Sequence, residues 1–199
     1  HILKEYEYKK NQWIIEKKKL KKIKNIPSKT LDKKEISLMA NIEDLSDVKS
    51  VLDCKAAGIG LFRTEFLFMN RKQLPGEQEQ YETYRSIAKS MKGRTVVIRT
   101  LDSGADKTTA ADKTQATNPA LGLRAIRLCL SQPHLFITQL RAILKASAFG
   151  KIRILIPMLS SLGELKQVKL LIKRAKESLV VENIKFDNEI LIGGMIEIP

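Results

Sequence analysis

Ile59-Gly-Leu-Phe-Arg63-Thr-Glu65 and Thr95-Val-Val-Ile-Arg99-Thr-Leu-Asp102 decide how this chain is read. Each is a short apolar run that breaks into charge at its C-terminal end. Runs of this length, apolar on both faces, indicate strands of a parallel sheet covered by helices. Ile36–Asn41, Ile152–Met158 and Ile190–Ile196 are similar runs, which makes five in all. Helical stretches alternate with them. Ser46–Ala57 ends at Gly58. Glu77–Met91 follows the Pro75-Gly76 turn and carries Tyr81, Tyr84, Ala88 and Met91 on one stripe. Pro119–Leu130 and Pro133–Ser147 each open on a proline, which suits a first helical turn; Gly150 suits the stop that follows. Ser161-Leu-Gly-Glu164 spells a capping box ahead of a long helix reaching about Leu179.

Alternating βα units fit either a doubly wound sheet or a (β/α)₈ barrel. No G-x-G-x-x-G turn opens a helix after any strand, which weakens the dinucleotide-binding alternative. The strand ends favour the barrel, where active sites gather at the C-terminal mouths. The expected fold class is therefore α/β: an incomplete (β/α)₈ TIM barrel of about five βα units, preceded by an N-terminal linker helix. Residues 1–34 read as a basic helix and connector, and 35–199 as the first part of the barrel. In the helix, Tyr6, Trp13 and Leu20 recur every seven positions, with Ile23 extending the stripe; Pro27 breaks the pattern. The alternatives for this helix are a partner-binding coiled segment or a basic membrane-surface helix. The opening on His1 and the stop at Pro199, just past an apolar run, carry the expectation that the barrel is only partly present.

Hydrophobic residues make up 43% of the 199, enough for a sizeable core, and the net charge is +14. The charge is concentrated early: residues 1–35 hold twelve lysines and five acids. Lysine dominates the excess and few aromatics lie among it, so a solvated surface is expected, with no nucleic acid bound. No long uncharged apolar run or signal peptide is visible, so no membrane association is expected. Cys54 and Cys129 match no metal or redox spacing, and a reduced cytoplasmic setting fits them.

The mouths carry the chemistry. They are Asn41, Arg63-Thr-Glu65, Arg99-Thr-Leu-Asp102, Pro157-Met158 (the apolar one) and Glu197. A guanidinium presents a planar fork of donors that matches phosphate or carboxylate oxygens. Two arginines in matching positions point to an anionic ligand; the alternative is structural pairing with Glu65 and Asp102. Glu197 is a lone carboxylate, of the kind that holds Mg²⁺ together with substrate oxygens and water, or that salt-bridges an arginine. Asp102 and Asp106 look like loop-ordering groups. The polar stretch 103–118 reads as a lid or as a solvated connection. Arg124 is placed to face the mouth, and Arg127 to be structural. His134, in a helix first turn, reads as a surface residue.

At this point the text resembles a known family. Gly58-Ile-Gly-Leu-Phe-Arg63-Thr-Glu-Phe-Leu-Phe-Met69, Val97-Ile-Arg99-Thr-Leu-Asp102, Asn118-Pro-Ala-Leu-Gly122-Leu-Arg124-Ala-Ile-Arg127, Gln139-Leu-Arg-Ala-Ile-Leu-Lys-Ala-Ser-Ala-Phe-Gly150 and Met195-Ile-Glu197-Ile-Pro199 resemble enzyme I of the bacterial sugar phosphotransferase system. The resemblance implies a phosphoenolpyruvate–protein phosphotransferase, which passes the phosphoryl group of phosphoenolpyruvate to its own histidine and then to the phosphocarrier protein HPr. It implies that Arg63, Arg99 and Arg124 bind substrate, that Glu197 is one of two Mg²⁺ ligands, and that the full protein is a homodimer. The phospho-accepting histidine and an acid cysteine fall outside this chain by the same comparison, so no catalytic residue is assigned here and the piece alone is expected to be inactive. Ser103, Ala105 and residues 108–117 depart from the family text. The nearest alternatives are a relative of pyruvate phosphate dikinase or phosphoenolpyruvate synthase, and a non-catalytic barrel fragment that binds partners.

Overall fold

A computed structural model of the chain describes residues 2–69, 71, 73–103 and 122–198. The elements run α1 (Ile2–Ile23), β1 (Ala40–Ile42), α2 (Asp47–Asp53), β2 (Gly58–Arg63), a 3₁₀ turn (Thr64–Leu67), α3 (Glu77–Ser90), β3 (Thr95–Arg99), α4 (Ala125–Ser131), α5 (Pro133–Ser147), β4 (Ile152–Ile156), α6 (Leu162–Val181) and β5 (Leu191–Gly194). The strands form one sheet in the order β1-β2-β3-β4-β5, and every pair is parallel. The order contains no reversal of the kind that marks a doubly wound sheet. Each strand is added on the same side of its predecessor. With right-handed crossovers, that succession puts the connecting helices on one face.

Burial follows that geometry. In β3, Val96 and Ile98 are buried while Val97 is half-buried; in β4, Ile152, Ile154 and Ile156 are buried while Arg153 is exposed. Strands expected to be covered on both faces are thus fully covered on one. The buried face meets Tyr84, Ile87 and Met91 of α3 and its C-terminus, Phe136, Leu140 and Ile143 of α5, and Val168, Ile172 and Ala175 of α6. Phe62 meets Tyr84 edge-on, with ring centroids 6.0 Å apart, an arrangement that aromatic quadrupoles favour.

Helix ends are where prediction and structure part most. The capping box is present: the Ser161 hydroxyl accepts from the Glu164 N–H, and Glu164 reaches back to the Ser161 N–H. Helix α2 stops before Gly58. Its turn is made at Lys55, whose φ of 57° puts a non-glycine residue in the left-handed region. Gly150 is also no left-handed stop. A Cβ there would lie 2.9 Å from the Ala88 carbonyl oxygen, so its role is close approach to α3. The first strand begins four residues later than predicted, at Ala40, because Ile36 bonds back to Ser28 rather than joining the sheet. Residues 119–121 of the predicted fourth helix lie outside the described residues.

Helix α1 has the predicted extent but its stripe is exposed: Tyr6, Trp13 and Leu20 all face solvent, with the Lys17 ammonium 4.6 Å from the Trp13 ring centroid. No described helix is long and apolar enough to cross a membrane.

On the outer layer, Arg141 of α5 donates to Glu77 of α3 (2.6 Å) and Glu182 just past α6 (2.8 Å), and Lys145 joins Glu77 at 3.1 Å. Burial alone pushes the Glu77 carboxyl upward. Hydrogen bonds and charge from Arg141 and Lys145 outweigh it and hold Glu77 below its usual value. A depressed folded value adds stability above the unfolded pKa, and that stability is lost as pH falls through the folded one. Glu77→Gln is therefore expected to lower stability by about 1 kcal/mol at neutral pH. Urea melts from pH 7 down to pH 2 should show the gap between variant and parent closing in acid; a gap independent of pH would contradict the assignment.

Candidate functional site

The site is built at the C-terminal ends of β2 and β3. Arg63 and Arg99 are direct register partners, so they stand side by side on neighbouring strands and leave the same face of the sheet. Their surroundings differ. Arg63 is half exposed, and its Nη1 donates to Glu43 Oε1 at 2.8 Å. The side chain of Arg99 is only 13% exposed. Its Nη2 donates to Glu65 Oε1 at 2.9 Å, and its Nη1 meets Asp102 Oδ2 at 3.1 Å.

The 3₁₀ turn Thr64–Leu67 follows β2 immediately, which returns Glu65 to Arg99 on the neighbouring strand. Glu65 Oε1 also accepts the Asp102 N–H at 3.1 Å. Asp102 Oδ1 accepts from Arg124 Nη2 at 2.9 Å. The result is a row of alternating charge, Glu65–Arg99–Asp102–Arg124, across two strand ends and the start of α4. The Ala125 N–H donates to the Ser103 carbonyl at 3.0 Å, and Ala125 has a φ of 49°. That contact brings the helix start to the mouth of β3.

Among the described residues, the Nε of Arg99 and the Nε of Arg124 in this row, and the Thr100 hydroxyl next to it in sequence, are buried without a hydrogen-bond partner. Buried polar groups are normally satisfied, and one left unmade is costly. The two guanidinium nitrogens leave donor capacity at the mouth of β3. Both arginines are held by carboxylates, which fix their guanidinium groups at the mouth.

Glu197 follows β5. Its Oε1 accepts the Met158 N–H at 2.9 Å, and Met158 has a φ of 56°. The apolar mouth of β4 thus contributes a backbone donor that its side chains do not advertise. Among the described residues no hydrogen bond or ion pair joins Glu197 to the arginine row, and no group of three or more His, Cys, Asp and Glu side chains forms a metal-binding cluster. A single carboxylate still fits a hard cation that takes most of its ligands from substrate and water.

The structural pairing given as the alternative to an anionic ligand is present for Arg99, which engages both Glu65 and Asp102. It is wrong for Arg63, whose partner is Glu43. That partner was missed because the first strand was ended at Asn41; it runs to Ile42, which makes Glu43 the mouth residue. Asp102 does more than order a loop, since it bridges two arginines. Asp106 lies outside the described residues. His134 is exposed, as expected. Burial pushes the Cys129 thiol up to about 12, with the Asp102 charge adding to the shift, so it is protonated at neutral pH and no nucleophile. Sequence reasoning also missed Gln139, a fully buried amide beneath the arginine row; the signal was a glutamine on the apolar stripe of α5.

Residues 17–199 match the family described as PEP-utilising enzyme, PEP-binding domain. Proteins named phosphoenolpyruvate-protein phosphotransferase are similar over essentially the whole chain. The one from Cupriavidus necator is 49% identical over 202 residues, covering 100% of this chain and 34% of that protein. The one from Mycoplasma capricolum is 47% identical, covering 99% and 34%, and the one from Bacillus subtilis is 42% identical, covering 99% and 35%. The chain spans about a third of the length of these curated relatives.

Proposed function

Because the chain belongs to the PEP-binding domain family of PEP-utilising enzymes, we propose that Arg63, Arg99 and Arg124 bind phosphoenolpyruvate as part of a phosphoenolpyruvate–protein phosphotransferase. The observation that carries this reading is the register pairing of Arg63 with Arg99 at two adjacent strand mouths, with Arg99 nearly buried and its Nε without a partner among the described residues. The unreversed strand order supports assigning residues 35–199 to a (β/α)₈ barrel, with 1–34 as the linker. The names of the relatives favour protein transfer over the nucleotide chemistry of a dikinase.

In this reading Arg99 and Arg63 grip the phosphate and neutralise it, and Arg124, joined to Arg99 through Asp102, adds a third positive group for the substrate. The P–O bond to the enol oxygen breaks, a P–N bond forms to a histidine supplied from outside this chain, and pyruvate enolate is left. Fixed guanidinium groups stabilise the charge that builds on the transferred group and on the enolate, without reorganising at the moment of reaction. Glu197 is the described residue suited to hold Mg²⁺, and the ion, when bound, supplies Lewis-acid polarisation of substrate oxygens. The phosphoryl group then passes to HPr. A homodimer in the cytoplasm is the proposed setting.

The test is calorimetric titration of phosphoenolpyruvate into the full-length protein with and without Mg²⁺. Binding is expected to tighten at least about tenfold with Mg²⁺, and Glu197→Gln to abolish that gain. A Glu197→Gln variant with an unchanged Mg²⁺ response would remove Glu197 from the site. In the same preparation, label from phosphoenolpyruvate should appear on protein and carrier; label passing to a nucleotide instead would favour the dikinase relatives.

A further inference from the structure

We propose that Gln139 is a positioning residue for the substrate-binding mouth, acting through the backbone on either side of Thr100. The proposal rests on the reading of Arg99 as a phosphate ligand.

Gln139 lies on α5 and is 1% exposed. Its Oε1 accepts the Leu101 N–H at 2.9 Å, and its Nε2 donates to the Thr64 hydroxyl and the Tyr84 hydroxyl, both at 3.2 Å. The Thr64 hydroxyl in turn donates to the Arg99 carbonyl at 2.9 Å. Between these two points the Thr100 N–H donates to the Leu155 carbonyl at 2.9 Å. Strand β3 ends at Arg99, so the sheet alone does not hold Leu101. Gln139 fixes that residue directly and the Arg99 carbonyl through Thr64. The flanking side chains, Arg99 and Asp102, are the two that meet at 3.1 Å in the site.

The direction of the network follows from its ends. The Pro75 carbonyl can only accept, and it accepts from Gln80 Nε2 at 2.9 Å; Gln80 Oε1 then takes the Tyr84 hydroxyl proton at 3.1 Å. Tyr84 is thereby an acceptor toward Gln139. At the other end Leu101 N–H can only donate. Both constraints select the same orientation of the Gln139 amide, so every member has one role. A leucine of similar shape at 139 leaves Leu101 N–H, Thr64 and Tyr84 short of a partner together.

A residue that merely fills the core changes melting temperature, not substrate affinity in the folded protein. Tyr84→Phe serves as the control, because Tyr84 bonds Gln139 but neither Leu101 nor Arg99. Phosphoenolpyruvate dissociation constants are measured by calorimetry on full-length protein, well below each variant's melting temperature. Gln139→Leu and Thr64→Val are each expected to weaken binding at least about tenfold, and the double variant to be no weaker than the weaker single. Tyr84→Phe is expected to change affinity less than about twofold while lowering the melting temperature. A folded Gln139→Leu variant within twofold of the parent, or effects that multiply in the double variant, would overturn the proposal. Should Gln139→Leu not fold, Thr64→Val against Tyr84→Phe decides the matter: equal affinities refute it. Arg99→Ala separates the two levels. If it abolishes binding while Gln139→Leu has no effect, only the positioning role falls; if Arg99→Ala leaves affinity unchanged, the substrate reading falls and this proposal with it.

Discussion

Arg99→Ala is expected to weaken phosphoenolpyruvate binding by about a hundredfold or more, from the loss of a hydrogen-bonded charge worth roughly 3 kcal/mol or more at a desolvated interface. Three features set the size of the effect. The guanidinium is nearly excluded from water, so its attraction for phosphate is poorly screened. Its fork is planar and already aimed by Glu65 and Asp102, so little ordering is required when an anion arrives. Its removal also leaves Glu65 and Asp102 at the mouth with less positive charge between them, which opposes an incoming phosphate. Arg63→Ala should cost only about tenfold, because Arg63 and its partner Glu43 are both about half exposed and their charges are screened by water. Titrations of both variants, checked for native circular dichroism, test the ranking. Equal losses, or a larger one at Arg63, would mean that burial does not determine which arginine holds the phosphate.

The sequence was most legible where one physical rule acts alone. Short apolar runs, a first-turn proline and the spacing of a capping box are local signals, and β2, β4, α5 and the Ser161 cap are legible from them. The arginines were legible because a guanidinium placed directly after an apolar strand needs an anion to offset its desolvation. What resisted was anything decided by a partner far along the chain. Gln139 bonds to residues 38 and 75 positions away; its place on an apolar stripe signals burial but not which partners it meets. Glu43 was hidden by a strand end only one residue out, enough to move a carboxylate from loop to mouth. Met158 contributes through its N–H, and backbone donors leave no trace in residue type. Gly58 and Gly150 were read as helix stops, since glycine signals both turns and close approach, and only packing tells these apart.

Gly58→Ala is the second large effect, and it should fall on stability rather than binding. Gly58 opens β2 opposite Thr95. A Cβ built there lies 2.5 Å from the Thr95 carbonyl oxygen and 2.8 Å from Met39 Cε. The methionine can swing aside, but the carbonyl belongs to the neighbouring strand and cannot move unless β2 and β3 separate. Overpacking against backbone puts the expected loss near the top of its usual range, about 3 kcal/mol, a large share of a domain's margin of roughly 5–15 kcal/mol. Gly76→Ala is the matched control, because nothing lies within 4 Å of its Cβ position; it should be close to neutral. Gly60→Ala, 3.0 Å from Met39 Cβ, should fall between them. Arg63 stands at the other end of the strand, roughly 16 Å from Gly58 at the usual rise per residue. A folded Gly58→Ala protein should therefore keep phosphoenolpyruvate affinity within about threefold, the inverse of the Arg99→Ala signature. Urea midpoints and titrations of the three glycine variants measure both quantities. A stable Gly58→Ala protein would show that β2 and β3 do not approach this closely at Thr95; because the register shifts between Ile59 and Phe62, the pairing of Arg63 with Arg99 beyond that irregularity is tested separately, by the arginine variants.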